Sequence, residues 1–234
     1  KPAGIVMHPG AGNFDNTIVN ALMNYDKNSL SNIGDELRPG IVHRLDKNTS
    51  GVMVIAKTES TMTHLAKQFF DRTVERRYLA LVWGDIKNEK GTIKTNLARN
   101  LKNRKIMDTY EFEGDIGKHA ITNYKVVKRL GYVTLVECKL ETGRTHQIRI
   151  HMKSIGHPLF NDPEYGGEKI LKGHNSANYR KFIQNCFDEI PGQALHAKSL
   201  SFEHPKKKKN ISFEVELPSG FQKILNKFEK IELK

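Results

Sequence analysis

Apolar residues recur along the chain at two periods. From Ser60 to Arg72, the positions Met62, Leu65, Ala66, Phe69 and Phe70 form the i, i+3, i+4, i+7, i+8 stripe of an amphipathic helix. Ser219 to Ile231 repeats that stripe with Phe221, Ile224, Leu225, Phe228 and Ile231. Ala177 to Phe187, after a loop rich in Gly, Asn and Ser, reads as another helix, as does His146 to Ser154 between Gly143 and Gly156. Strands are expected at Val52–Lys57, a buried run, at Glu75–Trp83 (ERRYLALVW) and at Gly91–Leu97. Thr122–Lys128 and Tyr132–Leu140 flank the turn Arg129-Leu130-Gly131, and Leu195–Phe202 and Ile211–Leu217 alternate on either side of His204-Pro205 and four lysines. Leu101–Gly117 is polar and charged and reads as an irregular surface insertion. Strands outnumber helices without regular alternation, which predicts an α+β fold with a mixed, mainly antiparallel sheet and flanking helices. Without an internal repeat or a clear linker, residues 1–234 are expected to form one domain.

Composition narrows the class. Hydrophobic residues are 38% and charged residues 27%, as in a soluble globular protein. No run approaches the roughly 18 apolar residues of a membrane span, and no secretory leader opens the chain, which starts Lys1-Pro2-Ala3-Gly4 without an initiator Met. Cys138 and Cys186 are too few for a disulfide framework, so two buried thiols in a reducing, cytoplasmic setting are expected. The net charge of +12 points to a polyanionic partner. Without a basic amphipathic helix bearing a Trp/Phe/Leu face, nucleic acid is favoured over a membrane surface.

Several chemistries are poorly supported. His146 and His151 are five apart with no Asp or Glu between them, which fails the H-E-x-x-H metal spacing. Gly10-Ala11-Gly12-Asn13 satisfies neither G-x-G-x-x-G nor the P-loop pattern, and no serine sits in a G-x-S-x-G elbow. Neither a catalytic metal site nor a nucleotide cofactor site is expected from these patterns. Lys206 to Lys209 read as a solvated turn rather than a phosphate site.

Three stretches hold more. His43-Arg44-Leu45-Asp46 runs into Lys47-Asn48-Thr49-Ser50-Gly51, whose small residues read as a turn. Arg77-Tyr78-Leu79 opens an apolar strand, and Leu140 to Met152 reads LETGRTHQIRIHM. On a helix His146 shares a face with Arg149, and Gln147 with His151. The apolar Ile148, Ile150, Met152 and Ile155 imply partial burial, and a buried charge needs a partner. Asp46 is a candidate partner for Arg149. A carboxylate held by a guanidinium stays ionised and can act as a nucleophile near pH 7.

HRLDKNTSG, RRYLALVWG and LETGRTHQIRIHM resemble the three signature segments of the RluA family of pseudouridine synthases. The opening Lys1 to Gly10, the stretch His157-Pro158-Leu159 with Asp162-Pro163-Glu164-Tyr165-Gly166-Gly167, and Gln193 to Ala197 extend the likeness over nearly the whole chain. His8 to Asn13, Thr17 and Asn20-Ala21-Leu22 are most similar to the RluD-like branch, which modifies large-subunit ribosomal RNA. The resemblance implies a pseudouridine synthase fold and a cofactor-free isomerisation of uridine, with Asp46 as nucleophile at C1′ or C6. It implies that Arg149 pairs with Asp46, that Tyr78 stacks on the target base and assists removal of the C5 proton, and that Arg44 fills the space left by the flipped base. Arg144 and His146 are candidate RNA contacts. The expected partner is large-subunit ribosomal RNA, free or in pre-ribosomal particles, with the enzyme a monomer. Residues 1–234 contain no counterpart of the N-terminal S4 domain frequent in that branch, which is expected to have been removed, to lie upstream of Lys1 or to be absent from this member, and the residue usual before Lys1 is not among them. A transfer RNA synthase of the same family and a non-catalytic ribosome-assembly protein are the competing expectations.

Overall fold

A computed structural model describes residues 1–10, 12–26 and 39–230. Ala11 and Ile231, both named above, lie outside them. The chain divides into two compact units. Among the described residues no helix is long and apolar enough to cross a membrane.

The first unit comprises Lys1–Arg76 and Ala197–Glu216. Its helices are α1 (Ile18–Asp26) and α2 (Glu59–Phe70), and its first strand is β1 (Ser50–Gly51). β7 (Leu195–Glu203) enters this unit at Ala197 and pairs antiparallel with β8 (Asn210–Glu214). α1 starts at a reciprocal cap: the Asn20 amide donates to Thr17 Oγ1 at 3.2 Å and the Thr17 amide to Asn20 Oδ1 at 3.0 Å. The hydrophobic periodicity did not reveal this helix.

Val52–Lys57, expected as a strand, pairs only at its ends. Strand geometry stops at Gly51, and Ile55 makes a lone bridge to Ile41. The run is nevertheless an extended spine with both faces covered. Val52 and Val54 pack on the cluster of Leu65, Val74, Leu200 and Phe202, while Met53 and Ile55 pack on Met7, Val19 and Ile41. α2 departs from its predicted stripe: Leu65 is buried, but Phe70 is 86% exposed and the buried polar residue is Gln68.

The second unit comprises Arg77–His196 and Leu217–Lys234. It holds β2 (Glu75–Trp83, from Arg77 onward), β3 (Lys90–Arg99), β4 (Met107–Tyr110), β5 (Lys118–Arg129) and β6 (Val133–Leu140), antiparallel in the order β2-β6-β5-β3-β4. The mainly antiparallel α+β expectation holds. β2 and α4 (Ala177–Phe187) have the predicted bounds. β4 lies inside the stretch expected to be irregular; its four residues complete the edge beside β3. One face of the sheet packs Leu81, Trp83, Val133 and Phe160 against Ile183 of α4 and Phe221, Ile224 and Phe228 of α5 (Ser219–Lys230). On another cluster, α3 (Gln147–Ser154) sets Ile150 against Leu97, Ala120 and Tyr165. Cys138 and Cys186 are buried, and burial pushes their thiols up to about 12 and about 11.

Candidate active site

In the first unit, Asp46 opens a tight turn: its carbonyl accepts the Thr49 amide at 3.1 Å. The residues after it are not a solvated turn throughout. Lys47 and Asn48 make the turn, whereas Thr49 and Ser50 are buried and Ser50 starts β1. Gly51 has φ +129°, and a Cβ there would lie 2.3 Å from the Ala197 carbonyl oxygen. Only glycine allows this approach, through which the Val52 amide reaches that oxygen at 3.0 Å. The other wall of the turn is Lys1. Its ammonium donates to the carbonyls of Thr49 (2.8 Å), Lys47 (2.9 Å) and Pro2 (3.0 Å). Burial draws its pKa down to about 8, against the raising influence of the Asp46 carboxylate. Lys1 is thus a positive charge built beside Asp46, which the sequence reading passed over as part of a motif.

Before the turn, Leu45 is buried and Arg44 is exposed. His43 Nε2 accepts the Val54 amide at 3.1 Å, and its ring stacks on Phe69 at 4.9 Å. Desolvation, helped by the Arg76 guanidinium, lowers its pKa to about 4, so the ring is neutral near pH 7.

In the second unit, Tyr78 is 7% exposed on β2, opposite Cys138 of β6. Its neighbour Arg77 reaches Glu137 across the strands at 2.7 Å. The polar crowd of α3 divides by face, as the spacing predicts. Gln147 and His151 face the sheet. Gln147 Nε2 donates to the Ile121 carbonyl and to Thr122 Oγ1, both at 3.0 Å, while its Oε1 accepts from Thr142 Oγ1 (2.7 Å) and the Arg144 amide (3.0 Å). His151 sits between the hydroxyls of Thr122 (2.8 Å) and Thr95 (3.0 Å), and burial lowers its pKa to about 4. Both side chains hold the helix in place.

Arg149 lies on the other side of α3, and both it and His146, which precedes the helix rather than opening it, meet Tyr165. Arg149, 2% exposed, donates from Nε to Asp162 Oδ2 at 2.7 Å and from Nη2 to Asp162 Oδ1 at 2.8 Å and to Glu164. Its guanidinium lies over the Tyr165 ring, 4.9 Å from the centroid. Asp162 Oδ1 also accepts the amides of Glu164 (3.1 Å) and Tyr165 (3.2 Å). The sequence reading did not nominate Asp162 or Glu164. The rule that a buried arginine needs a carboxylate points to Asp46 in the sequence, but it is also met by these two carboxylates thirteen and fifteen residues on. His146 precedes the helix in the left-handed region, φ 57°, and shares a hydrogen bond with the Tyr165 hydroxyl at 2.8 Å. Arg144 is half-buried and donates to the His119 carbonyl at 3.1 Å. Among the described residues, no group of three or more His, Cys, Asp or Glu could hold a metal ion.

The turn thus offers a carboxylate beside a cation, and α3 offers a fixed guanidinium. Residues 1–154, which carry Arg44, Asp46, Tyr78, Arg144, His146 and Arg149, match the model of the RNA pseudouridylate synthase family. The chain belongs to that family. Its members are isomerases. An RNA pseudouridine synthase of Chlorobaculum parvum is 44% identical over 99% of this chain and 71% of its own length. The ribosomal large subunit pseudouridine synthase D of Zymomonas mobilis is 46% identical over 95% of this chain and 66% of its own. That of Buchnera aphidicola is 44% identical over 97% of this chain and 69% of its own. These place the chain in the RluA family, with RluD-type synthases among its relatives. The human RNA pseudouridylate synthase domain containing 4 shares the fold, with a TM-score of 0.73 at 24% identity over 97% of this chain and 87% of that one.

Proposed function

We propose that this synthase converts specific uridines of large-subunit ribosomal RNA to pseudouridine, with Asp46 as the nucleophile. The observation that carries the target is that relatives named for the ribosomal large subunit match 95% or more of the chain at 41–46% identity. In the reaction the C1′–N1 bond breaks, the uracil turns, a C1′–C5 bond forms, C5 loses its proton and N1 gains one. Nothing is oxidised or hydrolysed overall. Asp46 attacks C1′ or C6. Tyr78 stacks on the flipped base and helps to take the C5 proton. Arg149 supports the Asp46 carboxylate. Arg44 occupies the space that the base leaves, and Arg144 and His146 touch the RNA. Flipping costs a few kcal/mol, which contacts to the strand must offset. The net charge of +12 supports the phosphate part of that binding. In this reading the two units serve a single activity, as a cytoplasmic monomer acting on free RNA or pre-ribosomal particles.

Asp46→Asn should abolish tritium release from C5-labelled uridine while leaving the melting temperature close to wild type. Wild-type release by that variant would remove Asp46 from the chemistry. Mapping pseudouridine in ribosomal and transfer RNA from a deletion strain tests the target: losses confined to transfer RNA would overturn it.

A further inference from the structure

The loop between Met7 and Val19 is tied at both ends. The Ile18 and Val19 amides donate to the Val6 and Met7 carbonyls, each at 3.0 Å. Inside it, Gly10 and Asn13 exchange main-chain hydrogen bonds at 3.0 and 2.9 Å. Three properties of this tied loop are not explained by folding. Phe14 follows the pinch with 70% of its surface exposed, although a buried aromatic contributes more apolar area than almost any other side chain. Gly10 lacks a left-handed φ, and a Cβ there would meet nothing within 4 Å. Neither backbone nor packing among the described residues requires glycine, unlike Gly51. Lys47, the residue after Asp46, reaches across to Asn13 Oδ1 at 3.3 Å. The loop therefore lies against the turn that carries Asp46.

An exposed ring, a bare main-chain position at Gly10 and a cation next to Asp46 suit a nucleotide. Extruding one base unstacks its neighbours, and an aromatic face can replace the lost stacking for any base. Glycine lets a backbone approach a ligand closely.

We propose that Gly10 and Phe14, with Lys47 beside them, bind the nucleotide adjacent to the target uridine. The Phe14 ring stacks on its base, the bare backbone at Gly10 seats its sugar and phosphate, and Lys47 supplies positive charge. The proposal deepens the RNA synthase reading and rests on it.

The test uses Phe14→Leu, Phe14→Trp and Gly10→Val in the longest natural form of the protein. Filter binding to a transcript of large-subunit ribosomal RNA is measured alongside tritium release. Phe14→Leu should weaken binding and raise KM by roughly tenfold with kcat within about twofold of wild type. Phe14→Trp should restore both, because it restores the stack. Gly10→Val should weaken binding at an unchanged melting temperature. Unchanged binding by Phe14→Leu would overturn the proposal. So would a lowered melting temperature in that variant, since it would mean that the ring packs against protein. Wild-type protein that binds the transcript, with Phe14→Leu weaker, yet releases no tritium would sink the synthase reading while leaving the loop as an RNA contact.

Discussion

The turn that carries Asp46 and the helix that carries Arg149 hold their charged groups in opposite ways. Around Asp46 the fixing groups are largely main chain: the Thr49 amide, the carbonyls that receive the Lys1 ammonium, and the close pass of Gly51 against Ala197. Around Arg149 they are side chains, with a bidentate Asp162, a further carboxylate from Glu164 and the face of Tyr165. A main-chain scaffold leaves the Asp46 side chain half-buried rather than enclosed. A side-chain scaffold encloses its charge and makes it dependent on each partner. The first arrangement suits a group that must meet substrate. The second suits one whose position must not change.

Breaking the two scaffolds should therefore have unequal effects on stability. Asp162→Ala leaves a buried guanidinium without its bidentate partner, and should cost about 3–5 kcal/mol. Gly51→Ala forces a side chain into a left-handed backbone against a carbonyl, and should cost about 1–3 kcal/mol. Denaturant midpoints at constant slope would measure both. Equal losses would end the distinction between an enclosed and a main-chain scaffold.

The next effect concerns the histidine that braces each region. His43 and His151 both have folded pKa values near 4, below the ordinary 6.5. The unfolded chain takes up their protons first, so each contributes stability that is full above pH 6.5 and is lost as the pH falls toward 4. The loss is on the order of 3 kcal/mol for each histidine. His43→Gln keeps an acceptor for the Val54 amide and should flatten the fall of stability between pH 6.5 and 4. An unchanged slope in both His43→Gln and His151→Gln would show that neither ring is shielded.

Much of this was legible in the sequence, and the exceptions have physical causes. The four-residue spacing of Gln147 and His151 gives the sheet-facing side of α3 directly, because helical geometry leaves no other choice, whereas His146, expected to open the helix, stands before it in the left-handed region. The C-terminal part of β2 follows from the apolar run Tyr78–Trp83, which ends at Gly84. Val52–Ile55 is continuously apolar like a buried strand because it has two covered faces, yet it pairs almost nowhere. Pairing depends on a partner strand, which local sequence does not contain. β4 was hidden for the same reason, since its four residues are strand only through the open edge of β3. α1 was hidden for another: its signal is the Thr17–Asn20 cap rather than a long stripe. Asp162 stands in a stretch that the resemblance covers, but its role as the partner of Arg149 follows only from the fold.

The smallest predicted effects come from α2, where pattern and structure disagree within three residues. The helical stripe assigns Phe70 to the core and leaves Gln68 polar and outside. In the fold Phe70 is 86% exposed, whereas Gln68 is 9% exposed and grips Glu203 of β7 with both ends of its amide, donating to the carbonyl at 2.9 Å and accepting the amide at 2.8 Å. Gln68→Leu keeps the volume but strands two main-chain groups, and should cost about 1–3 kcal/mol. Phe70→Ser removes an aromatic ring from water and should stay within about 0.5 kcal/mol of wild type. Thermal unfolding of the two variants side by side would check the order. If Phe70→Ser is the worse of the two, the ring is covered in the folded protein, and the hydrophobic stripe was the better guide to this helix.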